Sequence, residues 1–307
     1  MTHAAATVLP RPGRRAPPIG ALYDVVGLRL ALHRSGDGGP AVVFLPGAGL
    51  VGLDFLNVHQ KVARFTTSVI YDRAGTGWSD PVRLPRTAAD VAKELRDLLG
   101  AARVAPPYLL VSHSLGGAYA RRYAQLYPDE TAGLVFLDPA HEGYLSEPKR
   151  EFGEQARLAL TALPKLLNAR KFYGPMFQKM FAAWPDGLRQ VVVDYHLSAW
   201  SKTLAETKNL QSEVLKEIAG GGPLPDIPLI ILTAMGIDPF MAPFMSSDAL
   251  RASNVRKAGY YDSLASSAPL GENWLIDGAG HSTLHTDRPD LVVAAVRRVA
   301  DIARTRT

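Results

Sequence analysis

The sequence of 307 residues contains no cysteine. That absence excludes disulfide bonds, zinc–thiolate sites and thiol nucleophiles. The chain also lacks any apolar run approaching the ~18 residues that a membrane span needs, so we expect no membrane partner. Apolar residues make up 47% of the chain and charged residues 21%, a balance typical of a globular protein with an ample core.

The chain has little excess charge once its first residues are set aside. The net charge is +5, but Arg11, Arg14 and Arg15 lie in an acid-free stretch, and the rest has 31 basic against 29 acidic residues. A nearly balanced body is not typical of a phosphate-binding surface, so we expect no nucleic-acid partner. Residues 1–20 are rich in proline and lack the apolar core of a secretory signal, which predicts a flexible arm on a cytoplasmic protein.

Metal and nucleotide motifs are also missing. The sequence has no H-E-x-x-H pattern and its histidines are scattered, and Gly75-Thr76-Gly77 lacks the third glycine of a dinucleotide fingerprint. We therefore expect neither a metal nor a cofactor.

What the chain does contain is an alternation of short apolar runs with helical segments, which predicts a mostly parallel sheet with helices on both faces, an α/β fold. The predicted strands are Val25–His33, Ala41–Leu45, Ser68–Tyr71, Tyr108–Val111, Leu134–Leu137, Leu229–Thr233 and Asn273–Ile276. The predicted helices are Ala88–Leu99, with Thr87 as N-cap, Leu115–Tyr127, and one that starts near Pro289.

The alternation breaks between residues 140 and 225, where helical stretches rich in aromatic residues and methionine appear without a clear strand. This pattern predicts an α/β core formed by 21–139 and 226–307 with 140–225 inserted as a helical cap. An apolar cap indicates a hydrophobic small-molecule substrate, although packing of the cap on the core, or a homo-oligomer interface, would use the same side chains.

The strongest chemical signal surrounds Ser114. An apolar strand ends in Ser112-His113-Ser114-Leu115-Gly116, and a helix begins at once. A serine on such a sharp turn is exposed at the carboxyl edge of the sheet, and the residues two before and two after it must be small. Its position at a helix N-terminus also favours developing negative charge.

In these residues the chain resembles the α/β-hydrolase superfamily, from about residue 22 to the C-terminus. Ser112 replaces the first glycine of the usual G-x-S-x-G. The segment 45–49 resembles the oxyanion-hole loop, with Pro46 where the family often has histidine, and 72–79 matches the D-x-x-G-x-G-x-S turn. His281 follows the last strand within Gly278-Ala279-Gly280-His281.

The resemblance implies Ser114 as nucleophile and His281 as general base, with the order Ser, Asp, His along the chain. Asp238, after the penultimate strand, is the preferred acid, and Asp138 is the alternative. His285 is a weaker competitor for the base. His113 flanks the nucleophile and would point away from the site if it packs beneath the elbow.

By the same analogy, Leu115 and Ala48 provide the N–H groups of the oxyanion hole. Gly47, Gly49, Trp78 and Trp184 are candidates for the substrate pocket.

The implied function is hydrolysis of an ester or lactone through an acyl-enzyme, since epoxide hydrolases and dehalogenases of this fold are expected to carry aspartate at position 114. Amide, thioester or carbon–carbon bond hydrolysis, acyl transfer and a haloperoxidase-like activity stay open, because one triad serves several of these reactions. A non-catalytic member that only binds a small apolar ligand is the alternative of a different class.

Overall fold

A computed structural model describes residues 7–8, 15–146 and 168–306. Part of the predicted arm and residues 147–167 of the predicted cap therefore lie outside the described residues. The strands are β1 (Thr7–Val8), β2 (Ala21–Val25), β3 (Leu28–Ser35), β4 (Ala41–Leu45), β5 (Ser68–Tyr71), β6 (Tyr108–His113), β7 (Thr131–Leu137), β8 (Leu229–Ala234) and β9 (Gly271–Ile276). The α-helices are α1 (Leu56–Val62), α2 (Ala88–Ala101), α3 (Leu115–Leu126), α4 (Ala169–Met180), α5 (Asp186–Thr207), α6 (Leu215–Gly220), α7 (Ser247–Ser266), α8 (Leu284–Asp287) and α9 (Pro289–Arg306).

The strands form one sheet in the order β1-β2-β3-β5-β4-β6-β7-β8-β9. The pairings from β1 to β5 are antiparallel, and all pairings from β5 to β9 are parallel. The mostly parallel α/β sheet predicted from the sequence is confirmed.

Apolar residues cover both faces of the sheet. In β4, Val43 and Leu45 belong to the core cluster shared with α2 and α3, while Val42 and Phe44 belong to the cluster shared with α1 and α9. Successive strand residues point to opposite faces, so a fully apolar strand is buried on both sides.

The first predicted strand, Val25–His33, is instead a hairpin. Val26 and Gly27 have φ angles of 52° and 81°, and β2 and β3 pair antiparallel around them. Two consecutive positive φ angles are typical of a tight hairpin turn. The sequence signal was weak because Val26, a strand-forming residue, occupies one of the two turn positions.

Two described parts of the predicted arm contact the core. Thr7 and Val8 pair with Tyr23 and Leu22, and Ile19 packs against two of the apolar clusters. These residues therefore differ from the free arm that the sequence predicted.

The described part of the insertion between β7 and β8 is helical, and α5 is its longest helix at 22 residues. Its apolar side chains pack on the loop after β4 through a cluster that includes Val51, Leu53, Phe181, Trp184 and Val192. Among the residues that the structure describes, no helix is both long and apolar enough to cross a bilayer.

Candidate active site

Ser114 occupies a strained turn between β6 and α3. Its φ and ψ angles are 52° and −123°, a region that costs a non-glycine residue about 1–3 kcal/mol. Its N–H donates to the Leu137 carbonyl over 3.1 Å, and its carbonyl accepts the Gly117 and Ala140 N–H groups. A Cβ at Gly116 would lie 2.2 Å from the Leu45 oxygen, which explains why glycine is needed two residues after the serine.

A chain of two hydrogen bonds connects Ser114, His281 and Asp138. The Nε2 atom of His281 lies 3.1 Å from the Ser114 Oγ, and its Nδ1 lies 2.6 Å from Oδ2 of Asp138. An imidazole held this way has its proton on Nδ1 and its lone pair directed at the hydroxyl, so it can act as a base towards Ser114.

Asp138 is buried but remains disposed to ionise. Burial raises the pKa of Asp138, yet the hydrogen bond from His281 and the positive charge of Lys257 hold the pKa below its ordinary value. Lys257 on α7 donates to Oδ2 over 2.8 Å, and the Ala234 N–H donates to Oδ1 over 3.0 Å.

The structure brings Asp138, and not the preferred Asp238, to the imidazole. Asp238 instead accepts the N–H groups of Phe240 and Met241 on Oδ1, at 2.9 and 3.0 Å, and that of Ser282 on Oδ2, at 2.5 Å. It therefore holds the chain beside His281 through backbone bonds. Both aspartates follow parallel strands at one edge of the sheet, and the sequence alone does not specify which side chain faces the histidine.

The two residues predicted for the oxyanion hole lie next to Ser114. Leu115 is the first residue of α3, where N–H groups have no partner within the helix. Ala48 lines the cavity that contains Ser114. Gly47 is also close to Ser114, because a Cβ there would lie 3.2 Å from the Ser114 Cβ.

A buried ion pair holds the segment 45–49 in place. Arg73 donates to the carbonyls of Pro46 and Gly47 over 2.5 and 2.8 Å and pairs with Glu206 of α5 over 3.0 Å. Glu206 also accepts the Gly49 N–H over 2.6 Å. No sequence signal indicated Glu206, since an acid within a long helix usually faces solvent.

The cavity above Ser114 has a volume of about 420 Å³. Its lining residues are Ala48, Gly49, Leu50, His113, Ser114, Tyr173, Phe177, Met180, His196, Leu197, Ala199, Trp200, Thr203, Thr207, Phe240, His281 and Ser282. Of the two glycines predicted for the pocket, Gly49 lies in this lining and Gly47 does not, and most of the wall that the insertion contributes is apolar.

The structure places Trp78 and Trp184 away from this cavity. Trp78 stacks on Tyr195, with ring centroids 6.0 Å apart. Trp184 is buried in the cluster between insertion and core, and its Nε1 donates to the Leu53 carbonyl over 2.8 Å. Both indoles therefore pack the insertion onto the core. This is the alternative that the sequence analysis gave to a role in the substrate pocket.

Two further histidines, His113 and His285, lie near His281. The Nε2 of His113 lies 2.8 Å from the His281 carbonyl oxygen, with the rings 4.8 Å apart, so His113 adjoins the site instead of pointing away. His285 is fully buried with its ring 4.9 Å from Phe55. Burial lowers the pKa of both residues to about 3. Both are therefore neutral packing residues, and neither contacts the Ser114 hydroxyl.

No cluster of three or more metal-ligating side chains occurs among residues 7–8, 15–146 and 168–306.

Sequence similarity to a bacterial relative covers about a third of the chain. The uncharacterized protein YqjL of Bacillus subtilis is 40% identical over 108 residues, which is 35% of this chain and 43% of that protein. This chain therefore spans less than half the length of that relative.

Solved structures of similar fold include enzymes of different chemistry. The enol-lactonase of Burkholderia xenovorans has a TM-score of 0.61 at 15% identity, covering 91% of this chain and 98% of that one. A putative epoxide hydrolase of Pseudomonas aeruginosa has a TM-score of 0.64 at 19% identity, covering 97% and 99%. At these identities the likeness shows the fold alone.

The family model described as "Alpha/beta hydrolase family" matches residues 42–295, which include the elbow, both aspartates and His281. The chain belongs to the alpha/beta hydrolase family.

Proposed function

We propose that the protein is a serine hydrolase that cleaves an ester or lactone of a hydrophobic small molecule through an acyl-enzyme. The observation that carries the proposal is the chain of hydrogen bonds from Ser114 through His281 to Asp138. A serine hydroxyl is a weak nucleophile at neutral pH, and a histidine oriented by a carboxylate is the means by which proteins activate it.

In the first half of the reaction, His281 Nε2 takes the Ser114 proton as Oγ attacks the carbonyl carbon. Collapse of the tetrahedral intermediate breaks the bond to the alkoxy oxygen, which leaves with the proton from Nε2. In the second half, water gives one proton to Nε2 and attacks the acyl-enzyme. The acid is released and Oγ recovers its proton. Asp138 stabilises the imidazolium in both halves and is not itself protonated.

The negative oxygen of each intermediate would be bound by the N–H groups of Leu115 and Ala48. Loss of one such donor typically costs about 2.7–4 kcal/mol of transition-state stabilisation. The contacts of Arg73 with the Pro46 and Gly47 carbonyls support this role, because they turn the peptide groups of the loop into one orientation before the substrate arrives.

Position 114 separates the candidate reactions better than the fold does. The solved neighbours include a lactonase and a putative epoxide hydrolase, so similarity of fold supports either. An epoxide hydrolase of this fold uses aspartate as nucleophile, whereas this chain has serine. The apolar wall of the cavity favours a hydrophobic substrate.

The test is a panel of 4-nitrophenyl esters and alkyl lactones of increasing chain length, assayed with the wild type and with Ser114→Ala. We expect turnover of medium-length members by the wild type and a loss of at least about 10⁴-fold in kcat for the variant, since removal of such a serine abolishes the covalent route. Equal turnover by both proteins, or turnover of epoxides but of no ester or lactone, would contradict the proposal.

A further inference from the structure

His196 is one of the few polar side chains in the mostly apolar wall of the cavity. Phe177, Met180, Leu197 and Trp200 line the side that the insertion contributes, and His196 lies among them. The His196 side chain is only 6% exposed, and the Phe177 ring lies nearly parallel to it at 4.8 Å. Each of the two ring nitrogens of a buried imidazole needs a hydrogen-bond partner.

One ring nitrogen has a partner in the protein. The Nε2 of His196 lies 2.8 Å from Oδ1 of Asp54, whose side chain is fully buried and whose Oδ2 accepts the Val51 N–H over 2.7 Å. A carboxylate only accepts hydrogen bonds, so Nε2 carries the proton. The pair fixes the plane of the ring.

The other ring nitrogen of His196, Nδ1, has no hydrogen-bond partner among the residues that the structure describes. Nδ1 is not fully enclosed, and the His196 side chain lines the cavity. When the imidazole is neutral, Nδ1 accepts a hydrogen bond, and when it is charged, Nδ1 donates one. A hydroxyl group can serve either state, because it both donates and accepts.

A purely structural role accounts for only half of this arrangement. The contact of His196 with Asp54 joins α5 to the turn Gly52–Phe55, but this needs one donor. It does not require a second polar atom in a mostly apolar wall.

We propose that His196 Nδ1 is a binding subsite for a hydroxyl group on the substrate, so that the protein selects hydroxylated hydrophobic esters or lactones over their unsubstituted analogues. The identity of the substrate as an ester or lactone rests on the proposed function; the subsite itself does not. His196 acts in specificity, while Ser114, His281 and Asp138 perform the chemistry.

The experiment measures binding without turnover. In the Ser114→Ala background, titration calorimetry gives dissociation constants for ethyl hexanoate and for its monohydroxylated analogues, with the hydroxyl at successive carbons of the acyl chain. The subsite variant is Asp54→Asn with His196→Phe, which leaves no unpaired buried charge while an oxygen at position 54 still accepts the Val51 N–H. Thr203→Val is the matched control, because Thr203 is another polar residue of the same wall.

We expect at least one hydroxylated analogue to bind about tenfold more tightly than ethyl hexanoate, as one additional hydrogen bond predicts. That advantage should fall to about twofold or less in the Asp54/His196 variant and persist in Thr203→Val. A fluorophosphonate probe that still labels Ser114 in the same double variant, with serine restored, shows that the fold is intact.

The proposal is overturned by equal binding of all analogues, by no measurable binding of any, by an advantage that survives the His196 change, or by one that disappears with Thr203→Val. Tighter binding of monoethyl adipate than of every hydroxylated analogue also overturns it, because it assigns a carboxylate to the subsite. Failure of the proposed function is recognised separately, as wild-type protein that neither reacts with fluorophosphonate nor hydrolyses any ester.

Discussion

At the scale of single residues, the acid of the site shows where the sequence stops being informative. Asp138 and Asp238 both follow strands that end at the same edge of the sheet. The choice depends on side-chain direction: Asp138 has a φ angle of 49° and reaches Nδ1 of His281, while Asp238 bonds to backbone N–H groups. Ser114 and His281 were predictable because strand, sharp turn and glycine spacing are encoded locally.

Asp138→Asn should therefore mainly lower kcat, whereas Asp238→Asn should mainly lower stability. Asparagine at 138 can stabilise the wrong tautomer of His281 and no longer stabilises the imidazolium, so kcat should fall about 10⁴-fold at nearly unchanged KM. Asparagine at 238 should lower the melting temperature and reduce kcat less than about tenfold, because its bonds are structural. Steady-state kinetics with a 4-nitrophenyl ester checks both, and the reverse ranking would refute this assignment of the acid.

Lys257 sets the charge at the acid. Its ammonium lowers the pKa of Asp138 and shares Oδ2 with His281. Burial and the charge of Asp138 raise the pKa of Tyr261, and the same charge opposes the lowering of the His113 pKa by burial. In Lys257→Met the Asp138–His281 pair binds a proton more readily. The acidic limb of the kcat/KM–pH profile should then shift to higher pH. A lower plateau with an unmoved limb would mean that Lys257 only packs α7.

At the scale of elements, α5 connects the insertion to the segment 45–49. Its Glu206 is buried, pairs with Arg73 and accepts the Gly49 N–H, so the helix and this segment are coupled. The predicted helical character of the insertion did not reveal this coupling, because burial of one acid depends on the tertiary arrangement of three segments. For the same reason, the hairpin at Val26 and Gly27 was missed, whereas the core strands were found from their apolar runs.

Glu206→Gln tests the coupling. It leaves the Arg73 guanidinium buried without its counter-charge, and loss of one partner of a buried pair typically costs about 3–5 kcal/mol of unfolding free energy. Asp97→Asn, which removes the exposed pair with Lys93, is the control and should cost less than about 1 kcal/mol. Urea denaturation measures the free energy of unfolding of both variants. Equal losses would show that the Arg73–Glu206 pair does not stabilise the fold.

At the scale of the whole molecule, three buried histidines make stability depend on pH. Burial lowers the pKa of His59, His113 and His285 to about 3, with neighbouring histidines acting in the same direction. The folded state keeps them neutral, while the unfolded chain binds protons below its ordinary histidine pKa, near 6.5. Their contribution is therefore present above about pH 6.5 and lost as the pH falls towards 3.

Each such histidine contributes a slope of at most about 1.4 kcal/mol per pH unit between these limits. Burial raises the pKa of Asp72 to about 6, so its contribution is lost as the pH rises and offsets one histidine. We expect the free energy of unfolding, measured in urea at pH 7.5 and 5, to be lower at pH 5. His285→Phe should reduce the difference, and an unchanged difference in that variant would contradict the neutral, buried state of His285.

The architecture as a whole was predictable, and the substrate was not. Alternating strands and helices determine the parallel sheet, and the order of Ser114, Asp138 and His281 along the chain follows from that topology. The shape of the cavity depends instead on how α4 and α5 pack, which placed Trp78 and Trp184 in packing contacts and His196 in the wall.

We infer from the hydrogen bonds of Ser114, His281 and Asp138 that Ser114 is an activated nucleophile. Treatment of the intact protein with a fluorophosphonate, followed by peptide mass spectrometry, is the direct test. We expect one adduct, on Ser114, that disappears in Ser114→Ala and forms much more slowly in Asp138→Asn. No adduct on the wild type, or an adduct on a different residue, would contradict it.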